Sequence, residues 1–184
     1  HSQERNPRSM RTRHPLFFHS LIAACAWLFS LSVSASLPIP AAPAINAKGY
    51  ILIEHSTGQV LAQKNPDERL EPASLTKIMT AFVVFGELRA GRLSLDDEVT
   101  VSEKAWRTEG SRMFIEVNTR VRVEDLMQGM IVQSGNDASV ALAEQVAGTE
   151  ETFAVMMNQA ALGIGMTSSN FRNATGLPAS DHYS

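Results

Sequence analysis

The hydrophobic pattern changes character several times along the chain. An apolar stretch runs from Leu16 to Val33, interrupted at His19 and Ser20. Ser36 to Ala47 then carries Pro38, Pro40 and Pro43. Each proline removes a backbone donor and biases its predecessor toward extended conformations, which predicts a linker over 36–48. From Gly49 the pattern is that of a folded body. Tyr50-Ile51-Leu52-Ile53 and Val60-Leu61-Ala62 flank Ser56-Thr57-Gly58, the signature of a β-hairpin with few partners. Ser74 to Ala90 has helical spacing and stops at Gly91. Its apolar residues, among them Leu75, Ile78, Met79, Phe82 and Val83, cover most of the circumference, so a buried and central helix is expected.

A polar surface region is expected next, with Val99, Val101 and Trp106 in it, reaching Met113-Phe114-Ile115. Val123 to Val132 predicts a helix with Glu124 and Asp125 in its first turn, where the helix dipole favours acids. Ser134-Gly135-Asn136 breaks it. Asp137 to Val146 predicts a further helix ending at Gly148, and Thr149 caps another from Glu150 to Leu162. Phe171 to Ser184 reads as loop.

Composition narrows the class. At 184 residues, 44% hydrophobic and 19% charged, the chain suits one globular domain and is neither disordered nor fibrous. The formal net charge of −3 hides a split, since residues 1–35 hold four arginines against the single acid Glu4. The acidic body offers no electrostatic footprint for nucleic acid. Arg11 and Arg13 ahead of the apolar stretch, and Val33-Ser34-Ala35 behind it, predict a secretory signal peptide over 10–35, and hence an exported protein. Two rivals remain for this segment: a membrane anchor, marginal against the roughly 20 apolar residues a spanning helix needs, and a lipoprotein box at Ile22-Ala23-Ala24-Cys25. Residues 1–9 precede Met10 and read as upstream sequence. Cys25 is the only cysteine. A mature chain without it has no disulfide framework, thiol nucleophile or zinc-thiolate site, and no metal or organic cofactor is called for.

The candidate chemistry lies in Ser74-Leu75-Thr76-Lys77. A serine hydroxyl needs a neighbouring base, and positions three apart at a helix start share a face, which brings the Lys77 amine within reach of Ser74 Oγ. Unpaired N–H groups at the helix start can help hold an oxyanion. Burial would lower the Lys77 pKa, as a base requires. By itself the string is weak, since Ser-x-x-Lys arises by chance about once in a couple of hundred residues. Gln133-Ser134-Gly135-Asn136-Asp137 adds a second element, with Ser134 able to relay a proton and the Asn136 amide able to orient substrate or base. Ser168-Ser169-Asn170 fits the same pattern, but it begins a loop, whereas Ser134 punctuates an apolar helical region.

Pro72-Ala73-Ser74-Leu75-Thr76-Lys77-Ile78-Met79-Thr80 and Gln133-Ser134-Gly135-Asn136-Asp137-Ala138 resemble the low-molecular-mass penicillin-binding proteins that act as serine-type D-Ala-D-Ala carboxypeptidases. Gly110-Ser111-Arg112-Met113-Phe114 and Asn173-Ala174-Thr175-Gly176-Leu177 extend the similarity. The resemblance implies an α/β (α+β) penicillin-binding/β-lactamase-like transpeptidase fold, an antiparallel sheet plus a helical subdomain, with 49–184 as the N-terminal part of the catalytic domain. It implies Ser74 as acylated nucleophile, Lys77 as proton acceptor, Ser134 as proton relay and Asn136 as substrate-binding amide. Its substrates would be peptidoglycan stem peptides ending in D-Ala-D-Ala, and β-lactams would acylate the same serine.

The family's third motif, Lys-Thr-Gly on a core strand, is absent, because no lysine follows Lys104. Residues 36–184 alone are therefore expected to be inactive, and their central helix to leave Leu75, Ile78 and Phe82 partly uncovered where the sheet would lie. A C-terminal membrane anchor of the family type would also lie beyond Ser184. Three rivals are weaker. A class A β-lactamase needs a later glutamate, and none follows Glu151; a non-enzymatic β-lactam sensor calls for a signalling segment; a Ser-His-Asp hydrolase lacks its Gly-x-Ser-x-Gly elbow, which leaves His55 and His182 as surface or turn residues.

Overall fold

The computed structural model describes residues 44–184; the upstream segment, the signal-peptide reading and most of the linker fall outside the described residues. Regular structure opens with the expected hairpin: β1 (Tyr50–Ile53) pairs antiparallel with β2 (Val60–Lys64). Glu54 builds the turn, accepting from the backbone N–H and hydroxyl of both Ser56 and Thr57. Those bonds, led by the Thr57 hydroxyl, hold its carboxyl at about 2. The hairpin itself covers little: Ile51, Leu52, Ile53 and Val60 are 42–56% exposed.

Helices build the core. A 3-10 turn, Ala73–Leu75, leads into α1 (Thr76–Arg89). β3 (Glu98–Thr100), α2 (Glu103–Arg107) and β4 (Arg120–Arg122) follow, then α3 (Val123–Gln133), α4 (Asn136–Ala147) and α5 (Glu150–Gly163). α4, not α1, is the central helix. Every residue from Asn136 to Ala143 is buried, and α4 packs against α1, α2, α3 and α5. Ala138, Ser139, Ala141 and Ala143 keep its girth small enough for four neighbours. Around it Leu126, Met130, Leu142, Phe153 and Met157 are at most 1% exposed, each contributing on the order of 1.5–3 kcal/mol by leaving water.

α1 is buried on one face only. Thr76, Lys77, Met79, Thr80, Val83 and Val84 are buried, while Leu75, Ile78, Phe82 and Phe85 are 48–70% exposed. The buried side is the more polar one, and its first-turn polar groups all have partners. The exposure of Leu75, Ile78 and Phe82 agrees with the sequence expectation for an uncovered sheet-facing side.

The stretch expected to be polar surface needs correction. β3 and β4 pair antiparallel, with Val99 opposite Val121. Along Glu98-Val99-Thr100-Val101 the alternate positions Val99 and Val101 are 2% and 0% exposed. The period of two is the strand signal, too short to stand out among the surrounding charges. The α3–α4 junction is a tight turn: Ser134 takes left-handed backbone (φ 56°, ψ 37°), the Gly135 N–H donates to the Gly129 carbonyl, and the Asn136 N–H to the Ser111 carbonyl. Thr149 caps α5 through the Thr152 N–H as its sequence predicts. The segment after α5 is irregular but firmly docked. Phe171, Ala174, Thr175 and His182 are all buried, and Ser184 exchanges two backbone hydrogen bonds with Leu70. Among the described residues no helix is long and apolar enough to cross a membrane.

Candidate active site

The site forms where the start of α1, the start of α4 and the segment 173–176 meet. Pro72 and Ala73 lead into the first turn of α1, with Ala73 at φ 47°, a conformation that costs a non-glycine residue energy and recurs at functional sites. Gly176 faces it. A Cβ on Gly176 would lie 1.8 Å from the Ala73 carbonyl oxygen, and its φ of 85° is one that glycine adopts freely. This close backbone approach sets the position of the following residue, Ser74.

Lys77 is buried to 7% exposure. Its Nζ donates to Asn136 Oδ1 and to the Thr175 carbonyl, each at 2.7 Å, and lies 3.5 Å from Ser74 Oγ. Burial lowers its pKa from the ordinary lysine value. The Asn136 amide is fixed at both ends, because Nδ2 donates to the Glu109 carbonyl at 2.6 Å. Gly110 lets this amide sit close, since a Cβ there would lie 2.7 Å from Asn136 Nδ2. Ser74, Lys77 and Ser134 line one open, mostly apolar cavity of about 470 Å³, together with Ile78, Met130 and Ile131. The two Ser-x-Asn strings end up far apart in environment: Ser134 lies on this cavity, whereas Ser168 is exposed in the turn after α5.

Several supporting groups were not read from the sequence. Asp137, 1% exposed, accepts from the backbone N–H groups of Met113, Phe114 and Ile115, which ties the Gly110–Phe114 string to α4. Asn173 Oδ1 accepts from the N–H groups of Thr175 and Gly176, shaping the turn that presents the Thr175 carbonyl to Lys77. Thr80 donates to the Ala174 carbonyl, and Glu150 accepts from the Ala174 N–H. The one available signal was Asn-x-Thr-Gly, a turn-forming string; nothing in it pointed back to α1. His182 needs correction. Its expected place was a surface or turn position, and it is 4% exposed, with Nε2 2.8 Å from Thr76 Oγ1.

Solved structures define the class. The chain superposes on the D-alanyl-D-alanine carboxypeptidase DacD of Francisella tularensis with a TM-score of 0.74 at 43% identity, covering 79% of this chain and 35% of that one. Penicillin-binding protein 5 of Haemophilus influenzae gives a TM-score of 0.74 at 42% identity, covering 78% and 43%. The fold is thus that of the penicillin-binding proteins. Residues 37–184 match the model of the S11 peptidase family, D-alanyl-D-alanine carboxypeptidase, and the chain belongs to that family. Among curated relatives, the D-alanyl-D-alanine carboxypeptidase DacC of Escherichia coli K12 is 41% identical over 181 residues, 94% of this chain and 45% of the relative. DacF of Bacillus subtilis 168 is 44% identical over 138 residues, 75% and 36%. The chain therefore spans less than half the length of these relatives.

Proposed function

We propose that the protein is a serine-type D-alanyl-D-alanine carboxypeptidase acting on peptidoglycan stem peptides through an acyl-enzyme on Ser74, and that β-lactams acylate the same serine. The observation that carries this reading is the setting of Lys77. A neutral amine has two hydrogens and one lone pair. The short bonds to Asn136 Oδ1 and the Thr175 carbonyl use both hydrogens, which leaves the lone pair for Ser74 Oγ at 3.5 Å. Burial favours that neutral form. Ser74 Oγ attacks the carbonyl of the penultimate D-alanine as its proton passes to Lys77. The C–N bond then breaks, and the terminal D-alanine leaves with a proton relayed through Ser134. Water attacks the resulting ester, releasing the shortened peptide and Ser74. Asn136 holds Lys77 through Oδ1 and has a second Nδ2 hydrogen for a substrate carbonyl. The N–H groups at the start of the helix support the oxyanion.

Export accompanies this reading, because the substrate lies outside the cytoplasmic membrane. The basic start and the Val33-Ser34-Ala35 exit support it, and membrane attachment would come from a C-terminal anchor. N-terminal sequencing of secreted protein should begin at Ser36; a lipid-modified chain starting at Cys25 would reverse the assignment.

The decisive experiment is labelling of the full-length protein with a fluorescent penicillin. Ser74→Ala should abolish it, and persistent labelling would refute the assignment. Ser134→Ala should slow labelling strongly while Ser168→Ala leaves it near wild type; equal effects would mean that Ser134 has no special part.

A further inference from the structure

His182 is a buried titratable group that the proposed chemistry leaves unused, and its bonds reach both halves of the site. The Arg172 backbone N–H donates to His182 Nδ1 at 3.0 Å. A backbone amide can only donate, so Nδ1 carries a lone pair and the proton of the neutral ring sits on Nε2. Nε2 then donates to Thr76 Oγ1 at 2.8 Å. Thr76 is 1% exposed and lies between Ser74 and Lys77. Its Oγ1 also faces Gly176, where a Cβ would stand 2.9 Å away. The ring is steadied edge-on by Phe171, centroids 5.9 Å apart at 82°.

We propose that His182 is a positioning residue: as a neutral imidazole it ties the first turn of α1 to the segment that carries the Thr175 carbonyl, and so sets the distance between Ser74 Oγ and Lys77 Nζ. The role rests on the acyl-transfer reading given above. A second proton would have to go on Nδ1, directly against the Arg172 N–H, so protonation breaks the tie on one side. The charged neighbours are few. Glu71, ahead of the 3-10 turn, favours the protonated ring; burial opposes it more strongly and keeps the pKa below 6.5. Arg172 and Asp181 pair with each other at 3.6 Å, Lys77 faces Asn136 and Thr175, and on α5 Glu150 is held by Lys104 and the Ala174 N–H.

The test measures acylation of the full-length protein by a fluorescent penicillin between about pH 5 and 8, the range in which histidine titrates. His182→Ala removes both bonds and should slow acylation by up to about 100-fold, the scale of a small misplacement of reacting groups. His182→Gln keeps a donor for Thr76 without titrating. It should retain most of the neutral-pH rate and abolish the acid-side loss that protonation of His182 causes in the wild type. Thr76→Val should slow acylation similarly and add little to His182→Ala. Nitrogen NMR of the imidazole should find Nδ1 unprotonated at neutral pH, a readout that needs no activity and serves if the alanine variant does not fold. A protonated Nδ1, a His182→Gln profile superimposed on wild type, or wild-type acylation by His182→Ala overturns the positioning role. If Ser74→Ala loses its label while the His182 variants behave as wild type, the positioning role alone falls. A Ser74→Ala protein that still labels overturns the acyl-transfer reading, and the role with it.

Discussion

The two faces of α1 obey opposite rules. One face presents Thr76, Lys77 and Thr80, polar residues that are at most 7% exposed, and each has a named partner: His182, Asn136 with Thr175, and the Ala174 carbonyl. The other presents Leu75, Ile78, Phe82 and Phe85, all about half exposed or more. The apolar face is the side on which the family's sheet is expected, and the polar face is held from within. What holds it is the cost of an unmet polar group, about 1–3 kcal/mol once buried, set against hydrogen bonds that α4 and the 173–176 segment supply in fixed positions. The contrast teaches that polar groups are buried on this helix where α4 and the segments around 173–176 and His182 supply partners.

The largest effect that would test the contrast is at Lys77. Removing a general base costs about 10²- to 10⁴-fold, so Lys77→Ala should cut penicillin acylation on that scale; a loss below tenfold would mean that the buried amine is structural. Acylation should also rise with pH toward a Lys77 pKa below the ordinary 10.5. The linked stability has the same sign. Between the folded pKa and 10.5 the unfolded chain binds the proton and the folded one does not, so this contribution grows as pH rises through that window and is absent below it.

Gly176→Ala comes next. It combines backbone at φ 85° with a Cβ 1.8 Å from the Ala73 carbonyl, and should cost about 4 kcal/mol, at the upper end for single substitutions. Chemical denaturation reads it directly, and a change below 1 kcal/mol would show that the two segments can part without loss. Leu142→Ala in the centre of α4 should cost about 3 kcal/mol, a transfer loss plus a cavity. Leu52→Ala on the hairpin should cost about 0.5 kcal/mol or less, because Leu52 is 56% exposed. Equal losses at Leu142 and Leu52 would show that something covers the hairpin in solution, and the comparison of faces would need redrawing.

Much of this was legible along the chain. The hairpin, the helices that follow Ser74 and Asn136, the Thr149 cap and the break at Ser134 are all local signals: short-range periodicity, turn residues and caps act within a few positions. The pairing of Ser74 with Lys77 is local too, a matter of one helical turn. The preference for Ser134 over Ser168 rested on flanking apolar helices, which are also visible in the sequence.

The remainder depended on distance along the chain. Val99 and Val101 looked like stray apolar residues because the strand that pairs with theirs begins at Arg120. α1 looked central because periodicity reports how apolar a helix is, not which of its sides finds company; α4 took the centre because its small residues admit neighbours on every side. His182 looked like a turn residue because Thr76, its partner, lies 106 positions away. The two acceptors of the Lys77 amine come from positions 59 and 98 residues further on. Sequence by itself determined which residues could react, since a hydroxyl and an amine one turn apart need no fold beyond a helix. Only the tertiary structure decided the surroundings of that amine, because burial and hydrogen-bond acceptors are properties of neighbours that the chain brings together when it folds.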